Sequence, residues 1–374
     1  MNKNLVFIAA CAGLAFFGIT MLALGPILSH LGEGSNALPS TLSIGIIIGT
    51  VVFGPIVDRF GYKWMLIIGA LLALTGIQGL ANFNRISILH LSMAMLGIGG
   101  GILNGETNAL VASLYDDKKR GMRLSILGAF YCIGALLWTL LNYFSPEDYI
   151  LPLNITSAIM ALFIVFFILI RFPDAHPQES IPLKTSLKLL KYPALLLFAL
   201  LLFFQSGFEG ASGNFTVKYI ENFLEVNSET ATLTLTMMTV GMLIGRIFLG
   251  SIMKRLGNSI TLYIYLIVAL SGVALLCYST NILAAYAAMA LVGLGVGVTY
   301  PVVFNYLGAI FKKQSGTAFS IAIFLAFWGQ FVFNKAVGLF FDDGQYGYFP
   351  YILALAVVGM LFVMPFAKRA IRHK

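Results

Sequence analysis

Charge is what this chain has least of. Asp, Glu, Lys and Arg make up 10% of its 374 residues, whereas a soluble domain carries roughly 25%. A surface that faces water on all sides is thereby excluded. Cysteine is nearly absent as well: Cys11, Cys132 and Cys277 sit singly inside apolar segments, which rules out a disulfide framework and any metal spacing. The histidines, His30, His90, His176 and His373, are scattered. The chain has no H-E-x-x-H, no P-loop and no G-x-S-x-G. Its loops are too short to hold a soluble catalytic domain. An enzyme, a cofactor and a bound metal are therefore not expected, and energy from ATP would need a partner chain.

What the chain does have is apolar length. Hydrophobic residues make up 59% of it, and the mean hydropathy is +0.91. Leu5–Leu31, Trp64–Ala81, Leu153–Ile170 and Ala194–Phe204 carry almost no charge. A helix of ~20 such residues crosses a hydrocarbon core, and helices satisfy their own backbone in lipid. The first run exceeds a signal-peptide core and is read as the first membrane span. Breaks in the pattern give an all-α polytopic membrane protein of twelve spans. They lie near 4–31, 38–57, 63–83, 86–115, 124–144 and 149–171, then 193–223, 229–253, 258–279, 281–311, 316–341 and 347–367.

A net charge of +8 might point to nucleic acid, but the distribution gives a different account. Of the 23 Lys and Arg, 19 fall at the termini or in alternate loops on one side, and only Arg85 lies in the loops opposite. By the positive-inside rule both termini and the central linker are cytoplasmic, and no nucleic acid is implied. Between the halves, 172–192 holds three prolines and Lys184, Lys188 and Lys191, spaced for one face of a surface helix. The expected division is a bundle over 1–171, a cytoplasmic linker over 172–192 and a second bundle over 193–374.

The two bundles repeat each other. Gly54–Lys63 reads G-P-I-V-D-R-F-G-Y-K and Gly250–Gly257 reads G-S-I-M-K-R-L-G; Gly54, Arg59 and Gly61 match Gly250, Arg255 and Gly257 at an offset of 196. Gly97, Gly99 and Gly101 match Gly293, Gly295 and Gly297 at the same offset. Two six-helix units in the same order are parallel repeats, related by an axis along the membrane normal. The glycines themselves read as close helix contacts.

These motifs resemble the major facilitator superfamily, whose signature loop between spans two and three is similar to Gly54-x3-Asp58-Arg59-x-Gly61-x-Lys63. Lys254 stands where a second copy would carry an acid. Patches also resemble the fucose:proton symporter-like branch: G-I-G-G-G-I-L-N-G-E-T-N-A-L-V in span four, Q-S-G-F-E-G-A-S-G-N-F-T-V-K-Y in span seven and G-V-T-Y-P-V-V-F in span ten. The resemblance implies a secondary transporter, a polar solute held between the halves, and a latch formed by Gly54, Asp58, Arg59, Gly61 and Arg246. Pro301 is expected to kink or end the regular helix of span ten and to mark a gate.

Polar residues inside the spans are the candidate site. An acid at mid-membrane costs ~2.5–3.5 kcal/mol on insertion scales and faces a cavity or a partner. Glu209, sixteen residues into span seven, is such an acid. Gln205, Glu209 and Ser212 fall at i, i+4 and i+7, a polar stripe suited to binding solute and exchanging a proton; the alternative is a structural bond to a neighbouring helix. Asn214 in the same patch joins the solute set. In span four, Asn104 and Asn108 share a face with Thr107 and suit solute hydroxyls, while Glu106 is rotated ~200° away. Glu106 is either a second proton site or a partner of a neighbouring helix, Arg59 or Arg123. In span eleven, Gln330 and Asn334 are i, i+4, and Trp328 adds a ring for the apolar face of a sugar.

The leading expectation is a monomeric transporter in the lipid bilayer that moves a small polar solute, a sugar or polyol, by alternating access with protons. The alternatives are a proton-antiport exporter of amphipathic compounds, kept open by Met237, Met238 and 31 Phe residues, and a membrane sensor that kept the fold and lost transport.

Overall fold

The computed structural model describes residues 2–115, 117–173, 189–311 and 315–372, with side chains at 54–60, 112, 117–122, 125, 315–317 and 372 outside that description. Every element among them is helical. In the first half these are α1 (Lys3–Leu22), α2 (Leu38–Asn82), α3 (Ile86–Leu114), α4 (Asp117–Tyr143) and α5 (Ile150–Leu169). In the second they are α6 (Pro193–Leu224), α7 (Ser228–Cys277), α8 (Ile282–Val296), α9 (Thr299–Ile310), α10 (Ser315–Asp342) and α11 (Phe349–Arg372). Short 3-10 turns fill several of the joints.

Among the described residues eleven helices carry twelve spans, because three expected boundaries fall elsewhere. α7 is 50 residues long, which as a straight rod would measure ~75 Å against a hydrocarbon core of ~30 Å. It does not run straight. Gly257 interrupts it at φ 76°, ψ 162°, and Gly61 interrupts the 45-residue α2 at φ 78°, ψ 167°. Those angles are open to glycine almost alone. The loops expected near 58–62 and 254–257 are thus one-residue bends within otherwise helical chain, and each long helix holds two spans. The opposite correction applies to the expected helix 281–311, which is split between Val296 and Thr299 into α8 and α9. The first span ends at Leu22 rather than 31, because Pro26 cannot donate to a helical ladder and restrains Gly25 before it. The linker lysines Lys184 and Lys188 lie outside the described residues.

The chain divides into two compact units, Met1–Ser180 and Ile181–Lys374. Each repeats the other's internal contacts. In the first, Gly97 lies against Leu42 and Gly45, Gly101 against Ile46 and Thr50, and Gly99 against Gly69 and Ala73. In the second, Gly293 lies against Met238, Gly297 against Met242, and Gly295 against Tyr265 and Ala269. Glycine and partner are displaced together by 196, so the duplication extends from sequence to helix packing. Lipid offers little hydrophobic drive between helices, and such backbone-close seams supply dispersion contact instead. A second seam closes each unit: Gly134 on Ala15 joins α4 to α1, and Gly329 on Phe203 joins α10 to α6. Trp138, buried in the first of these, donates from Nε1 to the Leu22 carbonyl at 2.9 Å.

Outward faces stay greasy. Leu162, Leu169, Leu283 and Phe362 are at least two-thirds exposed, which in water would be costly and in lipid is solvation.

Candidate functional site

α6 starts at Pro193, where a missing N–H costs nothing. One face carries Gln205, Glu209, Ser212 and Thr216, all buried. The fourth extends the expected stripe by one helical turn, to i+11. Gln205 donates from Nε2 to the Val296 carbonyl at 3.0 Å. Ser206, the next residue, shares a short hydrogen bond with the Tyr300 hydroxyl. The stripe therefore faces the split in span ten.

That split has an identifiable chemistry. Pro301 is the third residue of α9, and without an N–H it cannot bond the Gly297 carbonyl four residues back. Arg246, on α7, donates from Nε to that carbonyl at 3.0 Å, and Gln205 takes the neighbouring Val296 carbonyl. Two carbonyls released by the split are thus satisfied by long side chains from two other helices. Arg246, expected as part of a latch, has this partner within its own half. Tyr300, Ser206 and Thr216 were not among the expected site residues. The signals for them were a tyrosine beside a mid-span proline and the continuation of the stripe.

On α10 the expected trio separates. Gln330 and Asn334 are buried, and Gln330 packs on Gly210 of α6, next to Glu209. Trp328 turns elsewhere, 41% exposed, with its indole edge-on to Phe324 and Phe331. A two-residue step turns a side chain ~200° around a helix, so indole and amide do not meet on one face. Asn214 is buried, its Nδ2 on the Gly210 carbonyl at 2.8 Å.

In the first half, Asn108 donates from Nδ2 to the Asn104 carbonyl at 2.8 Å and to its Oδ1 at 3.3 Å. Both asparagines are at least partly exposed, whereas Thr107 turns inward and bonds the Leu103 carbonyl at 2.7 Å. Glu106 is fully buried, and neither carboxyl oxygen has a hydrogen-bond partner among the described residues. Arg123 instead covers the rings of Phe7 and Tyr115, at 4.9 and 5.0 Å. Gly54, Asp58 and Arg59 lie on α2 just ahead of the Gly61 bend; their side chains are outside the description. No cluster of His, Cys, Asp or Glu among the described residues forms a metal site.

This geometry can be set beside known proteins. The family model for the Major Facilitator Superfamily matches residues 5–334 and again 200–370. The chain belongs to the major facilitator superfamily. A D-xylose transporter of Levilactobacillus brevis is 29% identical over 143 residues, 37% of this chain and 31% of that protein. A multidrug resistance protein of Bacillus subtilis is 24% identical over 190 residues, 49% of this chain and 36% of that one. The chain thus spans about a third of the length of these relatives. A protein described as a putative glucose/galactose transporter of Helicobacter pylori is 27% identical over 298 residues, 71% of each chain. Among solved structures, the fucose:proton symporter of E. coli superposes with a TM-score of 0.70 at 17% identity, covering 98% of this chain and 99% of that one. It shares the fold. As a member of this superfamily the chain is an integral membrane protein.

Proposed function

We propose that this transporter moves a small polar solute of the sugar class across the cytoplasmic membrane, coupled to protons, by alternating access. The carrying observation is Glu209: an acid buried in mid-span, on a row of polar side chains, facing a tyrosine and a split helix. In this reading Glu209 takes and releases the coupling proton, with Glu106 as a second buried acid in the other half. Gln205, Asn214, Gln330 and Asn334, with Asn104, Asn108 and Trp328, are the solute-binding set. The bends at Gly61 and Gly257, the stretch Gly54–Arg59, and the Arg246–Pro301 joint are the moving parts. The basic turns put the N- and C-termini in the cytoplasm. The sugar descriptions of several relatives support the solute class.

One observation favours a second reading, proton-antiport export of amphipathic compounds: the match to a multidrug resistance protein, together with 31 Phe residues. A thermal-shift screen of the detergent-solubilised chain separates the two, since a ligand that binds only the folded state raises the melting temperature. Stabilisation by one sugar family is the expected result. Stabilisation by lipophilic cations, with none by sugars or polyols, would replace the first reading by the second.

A further inference from the structure

We infer that the row on α6 is the proton path, a single file of water between Glu209 and a cavity at the far end of the helix. This rests on Glu209 as the coupling acid and deepens that reading. Beyond Glu209 the row runs through Ser212 and Thr216 to Tyr219, all on one face within ~80°. Ser212 and Thr216 are fully buried, and neither hydroxyl has a hydrogen-bond partner among the described residues. Two buried threonines on α7 behave differently: Thr234 and Thr239 return their hydroxyls to carbonyls of their own helix. Buried hydroxyls rarely stay unpaired, and in a polar row the usual partner is water.

The spacing suits that occupant. From residue 209 to 212, 216 and 219 the helix rises by ~4.5, ~6 and ~4.5 Å. Such gaps are too long for a direct hydrogen bond, whereas a bridging water with two bonds of ~2.8 Å spans up to ~5.6 Å, so one water covers each ~4.5 Å step and two waters cover the ~6 Å step. At the end of the row the ring of Tyr219 is buried and stacked on Phe223 at 5.0 Å. Tyr219 also forms one wall of a cavity of about 540 Å³ that Asn222, Gln345, Tyr346, Tyr348 and Tyr351 help to line. The polar row therefore has a wet mouth at one end and the acid at the other. Each transfer forms one O–H bond and breaks another, and the last leaves the proton on the Glu209 carboxylate. Ser212 and Thr216 position the water and carry no net charge. The ionisable groups around the row are Tyr300 on α9 and Arg246 on α7 at one end. At the other are Lys218 and Glu221 on α6, Asp342 on α10, Cys277 on α7 and Tyr351 on α11.

The test uses the full chain in phosphatidylethanolamine–phosphatidylglycerol vesicles, with infrared detection of the carboxylic-acid C=O stretch that Glu209→Gln removes. After a switch from water to D2O, the rate at which that band shifts reports proton access to Glu209. The double variant Ser212→Ala/Thr216→Val is expected to slow the shift by on the order of tenfold or more. Thr239→Val, which removes a back-bonded hydroxyl off the row, is expected to leave it unchanged. An unaltered rate in the double variant overturns the path while Glu209 keeps its role. A spectrum in which Glu209→Gln removes no band counts against Glu209 as the proton carrier, and the path falls with it.

Discussion

Replacing Gly293 by alanine places a methyl group where the backbone of span eight already runs. An added Cβ would stand 2.6 Å from the Met238 carbonyl carbon and 2.9 Å from its Cα, closer still to the oxygen. That carbonyl belongs to a helical ladder and cannot rotate away, so the two helices must separate. Overpacking of this kind costs ~1–3 kcal/mol, and the better helix propensity of alanine returns ~1 kcal/mol, leaving a net loss of up to ~2 kcal/mol. Gly250 is the internal control. It is exposed on α7, and an added Cβ there meets nothing within 4 Å, so Gly250→Ala should be neutral or gain ~0.4–1 kcal/mol. Gly97→Ala should lose about as much as Gly293→Ala, since its Cβ would lie 2.9 Å from Gly45 Cα and 3.0 Å from the Ile46 nitrogen. Thermal unfolding in detergent, followed by tryptophan fluorescence, reads the three variants. If Gly293→Ala is as stable as Gly250→Ala, the duplicated seams are not where the helices are held together.

Two further perturbations address the bends and the split. Gly61→Ala and Gly257→Ala force an L-residue to φ near +77°, at ~1–3 kcal/mol each. Because the bends lie in separate units, the losses should add within ~0.5 kcal/mol in the double variant; strong non-additivity in the same melts would show that the bends are not independent. Arg246→Met leaves the Gly297 carbonyl without its guanidinium donor and should cost ~1–3 kcal/mol. Pro301→Ala restores an N–H four residues along, so Arg246→Met/Pro301→Ala should be more stable than Arg246→Met alone. An absence of rescue would mean that Arg246 matters for something other than the freed carbonyl.

The spans were legible because hydrophobic runs are long and most charge falls at their ends. The inner helix seams were legible because glycines recur at a fixed offset, and a close approach demands glycine whichever helix lies opposite. Joints were harder to see. Gly61 and Gly257 read as loops, since a charged turn and a one-residue bend look alike in composition. The split before Thr299 was hidden because Pro301 is tolerated in a first helical turn, so the break falls ahead of the proline. Site residues were legible as to type and less so as to direction. The stripe on α6 kept its period and gained Thr216, while Trp328 and Gln330 parted because proximity in sequence says nothing about helix face. Arg246 looked like an inter-half charge and proved to have a partner on Gly297, a carbonyl whose need for a donor depends on a proline one helix away.

The central claim is tested most directly by solute uptake into vesicles carrying the reconstituted chain, with a sugar chosen by the thermal-shift screen. An imposed proton gradient is expected to drive accumulation by the native chain. Glu209→Gln is expected to let the solute equilibrate, or to bind it, without accumulation. Accumulation by Glu209→Gln at the native level, still driven by the gradient, would contradict the assignment of the coupling proton to Glu209.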